Sequence, residues 1–215
     1  MNKRNALYIA VTCLIVGIVG IILTFTYSFA GIGTFGSNGS GGYPGGMMGG
    51  GGVGPNSKLI SNSSLVTLVQ TGEEGVVVVH KTNSVTYNGG SADIVALASP
   101  DGKPNMTWEI DGLVNPTVVV RANTKITVDL VNTDWGYMHG FEITTTPPPY
   151  PYMSMMGISN QFVMMPLPER GTKNLLTANY YSSSSILTLA AGTYYYLCPV
   201  PGHAQQGMYG KFVVQ

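Results

Sequence analysis

The sequence predicts an all-β domain, a sandwich or a barrel, behind one N-terminal transmembrane helix. Three observations carry this. Residues 7–30 are apolar and contain no charged side chain. A glycine-dominated stretch follows, over residues 31–55. From about Ser57 onward, short runs rich in Val, Ile, Thr and Tyr are separated by turn signals such as Asn88-Gly89-Gly90, Pro100-Asp101-Gly102 and Ala191-Gly192, as expected of many short strands.

The apolar run is long enough to cross a bilayer. A cleavable leader usually has a shorter apolar region, of roughly 7–15 residues, so an uncleaved anchor is expected over residues 1–31. Lys3 and Arg4 precede it, which places the N-terminus in the cytoplasm and the rest of the chain outside. Residues 32–56 read as a flexible tether, because Gly, Ser and Asn cannot bury a core. Met47 and Met48 lie in this tether, and two thioethers without fixed geometry make a poor metal site.

Residues 57–215 form the third unit. Strands are expected at 59–70, 76–80, 106–110, 117–121 and 125–132, then at 140–144, 185–189, 193–197 and 210–214. The clearest is 125–132, where Ile126, Val128 and Leu130 alternate with Thr127, Asp129 and Val131. Residues 147–168, rich in Pro, Tyr and Met, read as a long loop. No long amphipathic helix is apparent.

Composition narrows the function. Ten basic and ten acidic side chains leave no net charge, so the basic footprint of a nucleic-acid binder is missing. Only 9% of residues are charged, against roughly a quarter on average. A surface of Ser, Thr, Asn, Gly and Tyr changes little when carboxylates protonate, which suggests an acidic exterior. Asn38, Asn62 and Asn105 begin N-glycosylation triplets, a weak signal that agrees with an external domain. The two cysteines, Cys13 and Cys198, fall in different units, so no disulfide is expected.

The chemistry concentrates near the C-terminus. Cys198, His203 and Met208 follow one another with four residues between each pair. Pro199, Pro201 and Gly202 turn the chain after a tyrosine-rich strand, and the next strand begins soon after Met208. His139 stands upstream, beyond the alternating strand. One thiolate, two imidazoles and a weak thioether make up the ligand set of a blue-copper electron-transfer site. Singly, each residue is more often an ordinary core or loop side chain; the order and spacing together favour copper. His80, after four valines, reads as a surface residue at a strand end.

The C-terminal segment resembles the cupredoxins, and the whole layout resembles the sulfocyanins among them. The apolar span, the Gly-rich tether, the Tyr-rich strand and the Cys198-Pro199-Val200-Pro201-Gly202-His203 loop ending at Met208 carry the resemblance. The ligand spacing is similar to that of rusticyanins. The resemblance implies a Greek-key β-sandwich holding one type 1 copper, with His139, Cys198 and His203 equatorial and Met208 axial. It also implies single-electron transport in an aerobic respiratory chain, between membrane redox proteins and toward a terminal oxidase, without a small-molecule substrate. One departure stands out. Many cupredoxins carry Asn or Ser after the first histidine, and here that position is Gly140.

Other readings make distinct demands. A multicopper oxidase or nitrite reductase needs more imidazoles than the three histidines present. A binuclear copper centre needs a second cysteine in the loop. Zinc would favour a fourth hard ligand over Met. Copper storage or delivery draws support from Met153, Met155, Met156, Met164 and Met165 together with the tether pair, since thioethers favour cuprous copper. For a carrier, His203 is expected to present a ring edge as the electron port, with Pro199, Val200, Pro201, Met155 and Met156 around it as an apolar docking patch.

Overall fold

A computed structural model describes residues 57–72 and 75–215; the expected anchor and tether lie outside them. Among the described residues no helix is long and apolar enough to cross a membrane. Thirteen strands among the described residues form two sheets. In chain order they are β1 (Ser57–Ser61), β2 (Val76–Val79), β3 (Ser84–Tyr87), β4 (Ser91–Ala98), β5 (Trp108–Ile110), β6 (Leu113–Val114) and β7 (Thr117–Val120). Then come β8 (Lys125–Asn132), β9 (His139–Thr144), β10 (Asn160–Leu167), β11 (Asn179–Leu187), β12 (Gly192–Leu197) and β13 (Tyr209–Val214). One sheet runs β1-β11-β8-β4-β5-β6 and the other β10-β9-β12-β13-β7-β3-β2. The all-β expectation holds, as a sandwich of two sheets.

The alternation in β8 does what its pattern predicts. Ile126, Val128 and Leu130 are fully buried between the sheets, because side chains two apart share a face. Trp108 from one sheet meets Phe141 of the other edge-on at 5.2 Å, and Phe141 stacks on Tyr196 at 5.6 Å. Such aromatic pairs add about 0.5–1.5 kcal/mol each beyond area burial. Within β13, Gly210 sits against the Tyr196 ring, where an added Cβ would come within 2.2 Å of Cζ. Gly210, inside the last strand as expected, leaves the space that the buried tyrosine fills.

Two further expectations fail for local reasons. Most of residues 59–70 is not a strand but the helix α1 (Asn62–Gly72). Ser61 Oγ accepts the Ser64 amide at 3.2 Å, satisfying one of the free donors at the helix start. Leu65, Leu68 and Val69, at helical spacing, pack with Val131, Ala178 and Tyr180 on the outer face of the six-stranded sheet. Gly72 lets the helix end close on β4, since a Cβ there would lie 2.8 Å from Val95 Cγ2. The 147–168 loop likewise contains a strand, β10. It is an edge strand, paired only to β9 and interrupted by a bulge between Met164 and Leu167. The bulge holds Pro166, in the kind of place where a sheet tolerates proline.

Candidate metal centre

The order β9-β12-β13 within the seven-stranded sheet builds the site. These neighbours are antiparallel, so the start of β9, the end of β12 and the start of β13 share one edge. His139 opens β9, Cys198 follows β12 and Met208 precedes β13. Residues far apart in sequence thus meet because the sheet order requires it.

The loop between Cys198 and Met208 is tied to itself. The Cys198 amide donates to the Met208 carbonyl at 3.0 Å and the Met208 amide to the His203 carbonyl at 3.1 Å. Gly202 and Gly207 take φ of +82° and +107°, a region that side chains disfavour. Asn115, from the connection between β6 and β7, fastens the loop to the other sheet. Its Nδ2 donates to the Gly207 carbonyl at 3.0 Å, and its Oδ1 accepts the Trp108 amide at 2.8 Å.

Three ligand atoms converge. Cys198 Sγ lies 3.7 Å from His139 Nδ1 and 3.4 Å from His203 Nδ1, and the two nitrogens are 3.2 Å apart. All three residues are buried. A metal held trigonally at bonds of about 2.0–2.3 Å would part such donors by roughly 3.5–3.8 Å. The cluster is therefore close to the size of one ion, and its donors fit the group that takes them. Met208 is fully buried in the cluster that contains Cys198.

The electrostatics describe a site that a cation completes. Burial pushes the Cys198 thiol up to about 12, against amide donors from Val200 and Gly140 that pull it back. Burial and the neighbouring His139 push His203 down to about 4, which keeps its imidazole neutral and able to ligate. Binding a metal to such a set displaces the thiol proton.

Asp134 is a functional residue that the sequence reading missed. His139 Nε2–H donates to its Oδ2 at 2.8 Å. A carboxylate there fixes the tautomer and turns Nδ1 toward the cluster. Asp134 is itself positioned, since its amide donates to Asn132 Oδ1 and its carbonyl accepts the Arg170 amide. A carboxylate five residues before a candidate ligand was the one available signal.

Two expectations need correction. His203 does not offer an open ring edge: it is 5% exposed, and Tyr137 covers it edge-on at 5.9 Å. It lines a shallow cleft with Tyr137, Met138, Pro168 and Val200. Pro199 is buried, whereas Val200 is half-buried and Pro201, Met155 and Met156 are exposed. His80 is exposed at the start of a short 3-10 turn, outside the cluster, as expected. Gly140 has a reason of its own. A Cβ there would lie 2.8 Å from the Met164 carbonyl and 3.1 Å from the Pro166 nitrogen, so β10 occupies the place of a Ser or Asn side chain.

A β-sandwich that gathers one thiol and two imidazoles at one end of neighbouring strands defines a cupredoxin, a blue copper electron carrier whose cofactor is one type 1 copper. Comparison with known proteins agrees. The chain belongs to the sulfocyanin family: its residues 94–215 match the sulfocyanin (SoxE) domain model. A rusticyanin of Acidithiobacillus ferrooxidans is 35% identical over 134 residues, covering 62% of this chain and 68% of the relative. The 1.27 Å structure of rusticyanin from Thiobacillus ferrooxidans superposes with a TM-score of 0.67 at 29% identity, over 76% of this chain and all of that one. A solved structure described as the copper protein rusticyanin gives 0.65 at 30% identity, over 74% of this chain and 97% of that one.

Proposed function

We propose that this chain is a membrane-anchored, extracytoplasmic blue copper protein that carries single electrons in an aerobic respiratory chain, toward a terminal oxidase. His139, Cys198 and His203 are its equatorial ligands and Met208 its axial one. The observation that carries this reading is the convergence of Sγ and two Nδ1 atoms within 3.7 Å in a buried pocket. Bound copper supplies a one-electron couple. The residues supply the rest. Asp134 orients His139, the self-bonded loop holds Cys198, His203 and Met208, and burial excludes water from the thiolate.

Electrons pass through the cleft that His203 lines. Its rim is mainly apolar, with Tyr137 and Met138 half exposed and one carboxylate, Glu169. With 9% charged residues, docking rests on this rim more than on steering by charge. Such contacts are small, below about 1,200 Å², and release quickly. The anchor reading rests on the uncharged run at residues 7–30 and on Lys3 and Arg4.

The test is optical. The full chain loaded with cupric ion is expected to show an intense thiolate-to-copper band in the visible, and Cys198→Ser to lose it while keeping the far-UV signature of the sandwich. A colourless cupric wild type would end the proposal. Membrane extraction with detergent but not with salt or alkali checks the anchor separately.

A further inference from the structure

We propose that the turn Ser154–Met156, with the preceding Met153, is a second metal site that takes one cuprous ion at the protein surface on the thioethers of Met153, Met155 and Met156. Of the eight methionines among the described residues, Met138, Met153, Met155, Met156 and Met165 are each more than 40% exposed. Methionine is normally among the most buried residue types, so most of these thioethers are offered to solvent instead of used for packing.

The turn arranges three of them. The Met156 amide donates to the Met153 carbonyl at 3.2 Å, closing a 3-10 turn in which side chains three apart eclipse. Met153 and Met156 therefore project from one side, and Met155 stands about a third of a turn away, where its flexible side chain can swing toward them. Ser154 is the only residue of the four turned inward, at 1% exposure, and its hydroxyl has no partner.

The surroundings select a soft ion. Residues 145–160 contain no charged side chain and no histidine, so a hard cation finds no charged ligand there, whereas thioethers suit cuprous copper. The segment is also fastened to the ligand loop. The Gly202 amide donates to the Tyr152 carbonyl at 2.7 Å, and a Cβ on Gly202 would lie 2.9 Å from the Tyr152 ring. The surface site thus stands one residue from Tyr152, and Tyr152 touches the residue before His203. It is separate from the buried centre and does not depend on it.

A partner-docking patch would use the same exposed atoms but would accept leucine in place of methionine. Leucine keeps the apolar bulk and removes the sulfur. The full chain, with its buried site already filled by reduced copper, is titrated anaerobically with cuprous ion held by bicinchoninate. Wild type is expected to withdraw one further equivalent from the chelator. The triple variant Met153→Leu/Met155→Leu/Met156→Leu is expected to lose it, with affinity at least tenfold lower, while its blue band on reoxidation shows that it still folds. Met47→Leu/Met48→Leu is expected to keep it. In wild type, silver(I), a redox-inert stand-in, is expected to shift the ε-methyl resonances of these three methionines. The proposal is overturned if wild type takes no further equivalent, if the triple variant takes as much as wild type, or if the three methyl signals do not move. That last measurement decides even if the triple variant fails to fold.

Discussion

Glu142→Gln is expected to make the chain more stable at neutral and alkaline pH and to leave it nearly unchanged in acid. Glu142 lies on β9, opposite Leu197 of β12 and Val163 of β10. It shares their outward face, yet it is fully buried, because the segment after β9 covers that face. Tyr150 packs there with Leu197 and Ala204, and its ring meets Tyr209 edge-on at 5.3 Å. Among the described residues no cation faces the carboxyl. Its neighbours are Tyr150 and the Cys198 thiol, and the Asn160 amide lies across from Oε1 at 2.5 Å. Oε2 has no partner.

Burial alone raises Glu142 from 4.5 to about 7. Between those two values the folded chain keeps a proton that the unfolded chain has lost, so stability falls as pH rises. Below about 4.5 both states are protonated and nothing is lost; above about 7 both are ionised and the loss is complete. The difference, about 2.5 pH units at 1.36 kcal/mol each, makes ~3 kcal/mol. Glutamine keeps the shape without the charge. Equilibrium urea unfolding of both metal-free chains at intervals from pH 4 to 8 measures the gap between them. It is expected to move by ~3 kcal/mol in favour of the variant as pH rises. A gap that stays constant, or moves the other way, would refute the assignment of a buried neutral acid.

Three other substitutions probe the site. Asp134→Asn replaces the charged acceptor that orients His139 with a neutral one, and is expected to weaken cupric binding by about 10–100-fold and to raise the potential; competition against a chelator and a redox titration check both. Met208→Leu is expected to keep the blue band and raise the potential, since losing a weak donor disfavours the cupric state; a lower potential or a colourless protein would remove Met208 from the axial position. Gly140→Ser installs the side chain that many cupredoxins carry, but its Cβ would meet the β10 backbone at 2.8 Å. It is expected to cost about 1–3 kcal/mol as an overpacked position, read as a lower urea midpoint.

What was legible in the sequence follows from how local its cause was. Strand β8 announced itself because one face is buried between two sheets, so its alternation is strict. The ligand loop was legible because Cys198, His203 and Met208 lie on one connection at regular spacing. Helix α1 was hidden by its valines and threonines, which suit strands, and its start depends on one hydroxyl, that of Ser61. Strand β10 was hidden by Pro166, which a bulge accommodates. Asp134 showed only as a carboxylate five residues before His139, and Glu142 not at all, because their roles come from what the fold sets opposite each of them. One faces an imidazole N–H; the other faces a covered sheet surface without a cation.

The rigidity of the centre is a property of the whole sandwich. Cys198 and His203 are held by a loop whose carbonyl at Gly207 is gripped by Asn115, and the other end of the same amide grips Trp108. Trp108 packs on Phe141, two residues along β9 from His139. Phe141 stacks on Tyr196, two residues before Cys198, and the Tyr196 hydroxyl donates to the Pro116 carbonyl at 2.7 Å, beside Asn115. The chain of contacts closes on itself through both sheets. A one-electron carrier needs ligands that move little between oxidation states. In this protein a ligand can move only if the inter-sheet core moves with it, so changes at Trp108 or Asn115 act on the copper site although neither residue offers it a ligand atom.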